Sequence, residues 1–527
     1  MNVRPARLRP ADRVQTESQK QPDAQVTTYA LPNGWVTNAA LSAGVGASVF
    51  ENLIRTRRGI EVRGGLVEAC TVATAVKRMF QHRASGTYFA ATATSIYPFT
   101  DASTGALTAS VSGQTSGDYS AYEMQTSGGS FLVCVNGVDY MQQFNGTTWT
   151  QITGVSTPAI TGVDTADLSH VWGHRSRLFF IEKGTLKAWY LGVESIAGAA
   201  TALPLHGVFR RGGSLEFGTT WSSDAGDGID DRCVFVTDAG EVAIYSGSDP
   251  GDPNNWALQG VYDIGETLGK AAYCAVGGDV LIGTRDGLVP LSAVVQKSPA
   301  ELKAAAVSVD IAPDWQRATN LGQEPWRVAR WDRGNMIFCN PMDSSTLFAT
   351  QTETGSWTNI TGWDCGDLQE FGDNLYVGGT NGSIYRAWVG GTDDGMPFVA
   401  RLAFPFDHLG TPATEKQARA VQTVWRIKAN ILPKISVAKD YDVRFPSAPA
   451  ASQVDDDSVG TWDVSDWDTA FWATDDEQYD IYRRWTAVAG YGFAFAPLVQ
   501  LTSGSSGRIG AILERVDLVY GAGAAMT

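Results

Sequence analysis

The stretch SFLVCVNGVDYMQQFNGTTWTQITG, residues 130–154, decides how this chain is read. An apolar run meets an Asn-Gly pair, a second run meets another Asn-Gly pair, and a third begins at Trp149. Asn and Gly tolerate the positive φ that type I′ turns demand, so the stretch is a meander of short antiparallel strands. Its end returns about two hundred residues later as TGSWTNITGW, residues 354–363. The same grammar of apolar strand, Gly/Asn/Asp turn and second strand recurs in GTYFAATATSIYPF, SRLFFIEKGTLKAWYL, CVFVTDAGEVAIYSG, DVLIGTRDGLVPLS, NMIFCNPMDSSTLFATQTETGSW and NLYVGGTNGSIYRAW. With the opening stretch this makes seven hairpins.

Spacing decides what they build. Trp149, Trp256 and Trp357 each head a similar strand and lie 107 and 101 residues apart. Near the midpoints, TALPLHG (201–207) and AAVSVDIAP (305–313) read as the same outer strand without its Trp. Half of each interval is about 50 residues, a length that suits a four-stranded propeller blade. Radial stacking covers both faces of each small sheet and leaves only short edges. We therefore expect an all-β chain, a β-propeller of six or seven blades, regular or irregular in form, over residues 66–406.

The flanks differ in texture. Residues 1–30 are polar and read as an arm, and 31–65 as an Arg/Gly segment leading into the body. Residues 407–527 read as a β-rich domain, with the N-terminal segment as a candidate partner in a common platform. Within it, positions 440–480 hold 12 acids and one base, punctuated by Trp462, Trp467 and Trp472.

Composition narrows the function. Gly is 57 of 527 residues, about 11% against a usual ~7%, and charged residues are 18% against a usual ~25%, a balance that favours strands and turns over amphipathic helices. The net charge is -16, yet residues 1–83 carry 12 Lys or Arg against 6 Asp or Glu, which leaves -22 for the rest. So acidic a body does not grip nucleic acid by neutralising phosphate. The basic N-terminus has no apolar region behind it and no window approaches a membrane span, so an unsecreted chain without a span is expected. The six cysteines form no CxxC pair and four sit in strand-like runs, which points to buried thiols.

Chemistry-bearing motifs are few. No G-x-S-x-G, P-loop, GxGxxG or HExxH occurs, and no cofactor or catalytic set is expected. Asp167, His170 and His174 would converge only on a helix, and on a strand the two histidines stand ~13 Å apart. The acidic loops SSDAGDGIDDR (Asp224, Asp227, Asp230, Asp231) and GSDPGDPNNW (Asp249, Asp252, Asn254) offer hard oxygens for Ca2+ without EF-hand spacing. They are weak candidates beside a solvated-loop reading. The glycosidase Asp-box S-x-D-x-G-x-T-W is not met at Trp149, because Phe144 stands where Asp belongs and Gln142 where Ser belongs.

The N-terminal segment reads QPDAQV and then SVFENLIRTRRGIEVRGG, followed directly by the hairpins. In Glu51, Asn52, Arg58, Gly59, Arg63, Gly64 and Gly65, and in the order of arm, Arg/Gly segment, hairpins and β-rich end, the chain resembles the tail nozzle proteins of short-tailed bacteriophages, the tail tubular protein B type. The resemblance implies a virion tail protein of the head-tail connector complex, assembled in the host cytoplasm as a homohexameric ring under an adaptor ring. It also implies a central channel that retains and then conducts double-stranded DNA during ejection, with tail fibres or spikes as possible neighbours. No gate motif is identifiable. On this reading Asp455, Asp456, Asp457, Asp463, Asp466 and Asp468 are candidates to line the channel, where like charge lets a duplex slide. Arg55, Arg57, Arg58 and Arg63 are candidates to contact the adaptor. A glycan-binding or glycan-cleaving propeller at a cell surface is the alternative, and a receptor-binding propeller a third.

Overall fold

Each of the seven hairpins forms the middle of one blade, strands two and three, in the computed structural model. The structure describes residues 24–38, 46–222, 231–322, 325–341, 346–428, 430–452, 479–504 and 507–525. Blade 1 runs from Arg78–His82 outward to Val111–Ser112, blade 2 from Ser120–Thr126 to Trp149–Ile152, and blade 3 from Leu168–His174 to Thr201–Pro204. Blade 4 runs from Leu215–Trp221 to Trp256–Asp263, and blade 6 from Trp326–Trp331 to Ser356–Thr361. Blade 5 has three strands, Tyr273–Val276, Asp279–Thr284 and Gly287–Pro290. Blade 7 comprises Cys365–Phe371, Asn374–Gly379 and Ser383–Ala387, and takes its fourth strand, Leu66–Thr71, from the N-terminal side. The molecule is an all-β propeller of seven blades carrying a β-rich platform.

The middle strands are continuous apolar runs because a neighbouring blade covers each face. In Arg232–Thr237, for example, five of six residues are buried. Six of the seven blade-to-blade interfaces have their own apolar cluster, among them Phe80, Phe89 and Phe144 between blades 1 and 2, Trp172, Phe179 and Phe235 between blades 3 and 4, and Tyr88, Phe371 and Tyr376 between blades 7 and 1, while the contact between blades 5 and 6 merges with the platform core. Burying each such side chain stabilises by ~1.5–3 kcal/mol.

The tryptophan spacing marks alternate blades. Trp149 meets Phe89 at 5.0 Å, bridging blades 1 and 2, and Trp256 stacks on Phe179 at 6.1 Å, bridging blades 3 and 4. Trp357 lies in the outer strand of blade 6. Thr201–Pro204 is the outer strand of blade 3, as its midpoint position suggested. The other midpoint, 305–313, is not a strand. Helices Leu291–Gln296, Pro299–Ala305 and Ala312–Asn320 replace the outer strand of blade 5. Pro299 opens its helix behind a Ser298–Glu301 capping box, and Trp315 of the last helix is fully buried against Trp326, Phe348 and Trp357.

Those helices lie where the propeller meets the platform. The platform is two sheets. One continues directly from blade 6, because Val49–Glu51 pairs parallel to Ser356–Thr361 and is followed across the sheet by Val399–Ala403, Phe495–Gly504 and Lys434–Lys439. Val399–Ala403 thus belongs to the platform although it falls inside the span 66–406. The other sheet has Ile512–Ala525 and Thr414–Ile427 at its centre, Asp480–Gly492 on one edge, and Ala24–Tyr29 with Gly59–Val62 along the opposite edge. Phe50, Leu402, Val499 and Leu501 of the first sheet face Val421, Trp425, Leu513, Val516 and Leu518 of the second in one core.

Candidate functional site

Two places concentrate polar chemistry: the joint made by the Arg/Gly segment, and the propeller axis. At the joint, Asn52 adopts a left-handed conformation (φ +57°) and turns its side chain inward. Its Nδ2 donates to the Val399 carbonyl and Thr361 Oγ1, each at 2.8 Å, while its Oδ1 accepts from Arg63 Nε at 2.8 Å and from the Thr361 amide at 3.0 Å. Arg63 then grips Asp393 with both ends of its fork, Nη1 to Oδ1 at 2.8 Å and Nη2 to Oδ2 at 2.6 Å. Its remaining hydrogens reach the carbonyls of Gly64 and Thr361, and its plane lies 3.7 Å from the Phe398 ring centre. Burial pulls the guanidinium pKa down and Asp393 opposes it. A Cβ on Gly65 would stand 1.9 Å from the Thr392 carbonyl oxygen, and one on Gly64 2.7 Å from the Trp388 Cα, so only glycine lets the chain pass here.

This geometry corrects the reading of Arg63 as an adaptor contact: its side chain is 0% exposed and its donors are consumed inside the joint. Arg55 is half-buried and donates to the Thr56 carbonyl. Arg57 and Arg58 are exposed at the tip of the same hairpin, Arg57 paired with Glu353 at 2.8 Å. The Arg/Gly string could not reveal from its residues alone which arginines turn inward.

On the axis, the seven inner strands surround a cavity of about 1330 Å³. One end is cross-braced. Asp118, just ahead of blade 2, accepts from Arg327 Nη2 of blade 6 at 2.6 Å and pairs with Lys270, just ahead of blade 5, at 3.1 Å. Blades 2, 5 and 6 lie on opposite sides of a seven-fold ring, so this triad reaches across the axis. Lys270 also donates to the carbonyls of Asp118 (2.6 Å) and Ser169 (3.2 Å). Beside it, Arg78 pairs with Asp367 at 3.2 Å, and Asp367 accepts from the Met79 amide at 2.6 Å. Burial alone would raise the Asp118 carboxyl, but Lys270, then Arg327 and Arg78, bring it down to about 2. Asp367 goes the other way, raised because burial outweighs Arg78 and Arg327. Lys270 is lowered by burial against the pull of Asp118.

His170 and His174 lie on the inner strand of blade 3, each buried. The His170 ring donates from Nε2 to the Gly218 carbonyl of blade 4 at 2.9 Å, leaving Nδ1 to accept from Ser120 Oγ of blade 2 at 3.1 Å. Burial lowers this imidazole to about 3, far too weak a base to activate a serine, so the pair ties three blades together. His174 donates from Nε2 to the Gly247 carbonyl and meets Thr220 Oγ1 through Nδ1, both at 3.1 Å and both on blade 4, so it ties blade 3 to blade 4, and burial lowers it to about 4. Neither converges with Asp167 on a metal position.

The cavity lining also includes Tyr122, Glu123, Asp231 and Glu370, together with Trp172 and Phe371, whose rings are buried in the blade interfaces. Glu123 accepts from Ser130 and from the amides of Arg83 and Ala84, and these bonds outweigh burial to hold its carboxyl below the usual range.

Of the Ca2+ candidates, Asp224, Asp227 and Asp230 lie outside the described residues, and Asp231 is buried at the cavity. Asp249 pairs with Arg177 at 3.3 Å, and Asp252 caps its own turn through Asn254 and Asn255. Among the described residues no group of three or more His, Cys, Asp or Glu is placed to hold a metal ion. Asp455, Asp456, Asp457, Asp463, Asp466 and Asp468 lie outside the described residues. No described helix is long and apolar enough to cross a membrane.

No family model and no curated protein matches the chain. Among solved structures, the chain is similar to the β-propeller domain of Cps50 (Swd1) from Myceliophteria thermophila, at 10% identity and a TM-score of 0.40, covering 62% of this chain and 99% of that one. It is also similar to YCF48 bound to D1 peptide (11% identity, TM-score 0.36, 64% and 97% covered) and to Sqt1 of Saccharomyces cerevisiae (10%, 0.36, 62% and 98%).

Proposed function

We propose that the chain is a structural subunit of the tail of a short-tailed bacteriophage, a nozzle protein whose copies form a ring, six by resemblance, beneath an adaptor ring. Its channel retains genomic DNA and conducts it during ejection, without catalysis. The observation that carries this reading is the joint: Asn52, Arg63, Gly64 and Gly65, residues on which the resemblance rests, lock the propeller to the platform through Thr361, Asp393 and Val399. The axis supports it in a second way. The Arg327–Asp118–Lys270 triad spans the propeller's interior, which leaves the space between copies as the channel of this proposal. The acidic balance of the chain suits such a path, because like charge repels phosphate. Arg57 and Arg58, exposed at one hairpin tip, are the remaining basic candidates for the adaptor contact.

Electron microscopy of the purified full chain tests the proposal. Rings with an axial hole are expected, and a monodisperse monomer at micromolar concentration would refute it.

The cavity favours a second reading, a glycan-binding propeller, because half-buried Tyr122 shares its lining with Glu123, Asp231 and Glu370. Carboxylates with aromatic platforms suit sugar rings. Cleavage is less well served, since a general acid needs a raised carboxyl and Glu123 is lowered. Saturable binding to a glycan panel, lost in Tyr122→Ala at an unchanged melting temperature, would establish this reading.

A further inference from the structure

The second platform sheet ends in two strands with open edges. Ala24–Tyr29 pairs only with Ile512–Ala525, and Asp480–Gly492 pairs only with Thr414–Ile427, among the described residues. Neither carries proline, and Ala24–Tyr29 carries no charge, so its protection as an open edge is thin, while Asp480–Gly492 has charges only in its first half, at Asp480, Arg483 and Arg484. All three pairings across the sheet are antiparallel. With four strands in alternation, the two edges run in opposite directions. The first strand of one copy would therefore extend the last strand of another antiparallel, with the hydrogen-bond ladder unbroken.

The side chains agree with this polarity. Register places Val26, Val519, Ala420 and Ala487 in one row across the sheet, and Thr28, Asp517, Gln422 and Trp485 in the next row on the same face. The other face packs on the core through Val421, Val516 and Leu518. On the outward face the apolar groups stand at the two edges: Val26 is 61% exposed on one, and Ile481 58%, Trp485 46% and Tyr491 59% on the other. Large apolar side chains at two complementary open edges of one sheet need a partner, and each edge is the other's complement.

We infer that successive copies of this chain join head to tail through these edges, Ala24–Tyr29 of one against Asp480–Gly492 of the next, making one continuous β-belt. Such a heterologous contact closes into a ring when the rotation between copies permits. The inference rests on the ring proposed above and names the surface that would hold it. Six paired residues are too few for a stable interface alone, so the contact sets register while propeller and platform flanks add area.

Cysteine pairing in the full chain tests it, since all six native cysteines are buried. Val26→Cys is combined in turn with Trp485→Cys, Ala487→Cys and Ala489→Cys. Within one copy the two edges are three strand spacings apart, ~14 Å, beyond the ~7 Å limit of a disulfide, so any link joins two copies. A ladder of covalent multimers after mild oxidation is expected from at least one pair. Val26→Glu and Trp485→Glu, both at exposed positions, are expected to weaken association at least tenfold with unchanged melting temperature. Rings in the microscope without any ladder overturn the edge contact and leave the ring standing. A monomeric wild-type chain overturns both. A disulfide-linked dimer from Ala487→Cys alone overturns head-to-tail pairing in favour of a two-fold contact.

Discussion

Arg63 illustrates how much a single residue's meaning depends on where its side chain turns. As a letter it belongs with Arg55, Arg57 and Arg58, but its guanidinium is sealed between Asn52, Asp393 and Phe398. Truncating one member of a buried ion pair leaves the other uncompensated, which costs ~3–5 kcal/mol. Arg63→Met is therefore expected to lower the urea midpoint sharply, and Arg63→Lys to recover little because an ammonium cannot make the fork. Arg58→Ala at the exposed hairpin tip is expected to change stability by under about 0.5 kcal/mol. The histidines make a pH prediction of definite sign. Unfolded imidazoles take a proton near pH 6.5, whereas His174, facing Arg175 and Asp231, resists to about 4, and His170, facing Lys270, Arg78 and Asp118, to about 3. The unfolded state thus binds more protons below pH 6.5, so their stabilisation is complete above that value and fades as pH falls toward 4. Thermal melts from pH 7.5 to 4.5 should show a falling midpoint, with a shallower slope in His174→Gln; an equal slope would remove His174 from this account.

At the scale of elements, the seven hairpins were legible because strand period and turn chemistry are local. TDAG and TRDG turns, like the Asn-Gly turns, carry their backbone requirement in their own residues. The outer strands were only partly legible. Thr201–Pro204 met the expected spacing, but Ser298, Pro299 and Glu301 turn the corresponding stretch of blade 5 into helix, a capping signal that spacing alone overrode. Trp315 then takes the place an outer strand would fill, donating to the Thr284 carbonyl at 2.9 Å. Trp315→Ala is expected to cost ~3–5 kcal/mol by cavity formation, measurable in chemical denaturation. Ring closure was not legible at all. Leu66–Thr71 pairs with Ser383–Ala387 across more than three hundred residues, so a chain lacking residues 1–71 is expected to expose the edge of blade 7 and aggregate, which light scattering would report.

For the whole molecule, the imbalance between a basic N-terminal segment and an acidic remainder concerns association and not fold. No duplex retardation by the purified chain is expected at ~150 mM salt, where non-specific affinity depends on phosphate neutralisation. In an infectious particle, replacing Asp455, Asp456 and Asp457 by lysine is expected to slow genome release, and unchanged release would remove that tract from the channel path. Reading along the chain was enough to establish an all-β architecture, seven repeated hairpins and a marker tryptophan at alternate blades, since each follows from a two-residue period and turns a few residues long. Long-range packing settled the rest: that Leu66–Thr71 closes the last blade, that Arg63 is buried, that Asp118 bridges the axis to Lys270 and Arg327, and that the platform sheet leaves two complementary edges open among the described residues. The period of a strand fixes which side chains share a face. Which distant strand lies beside it depends on burial and pairing among segments hundreds of residues apart, and no local pattern encodes that choice.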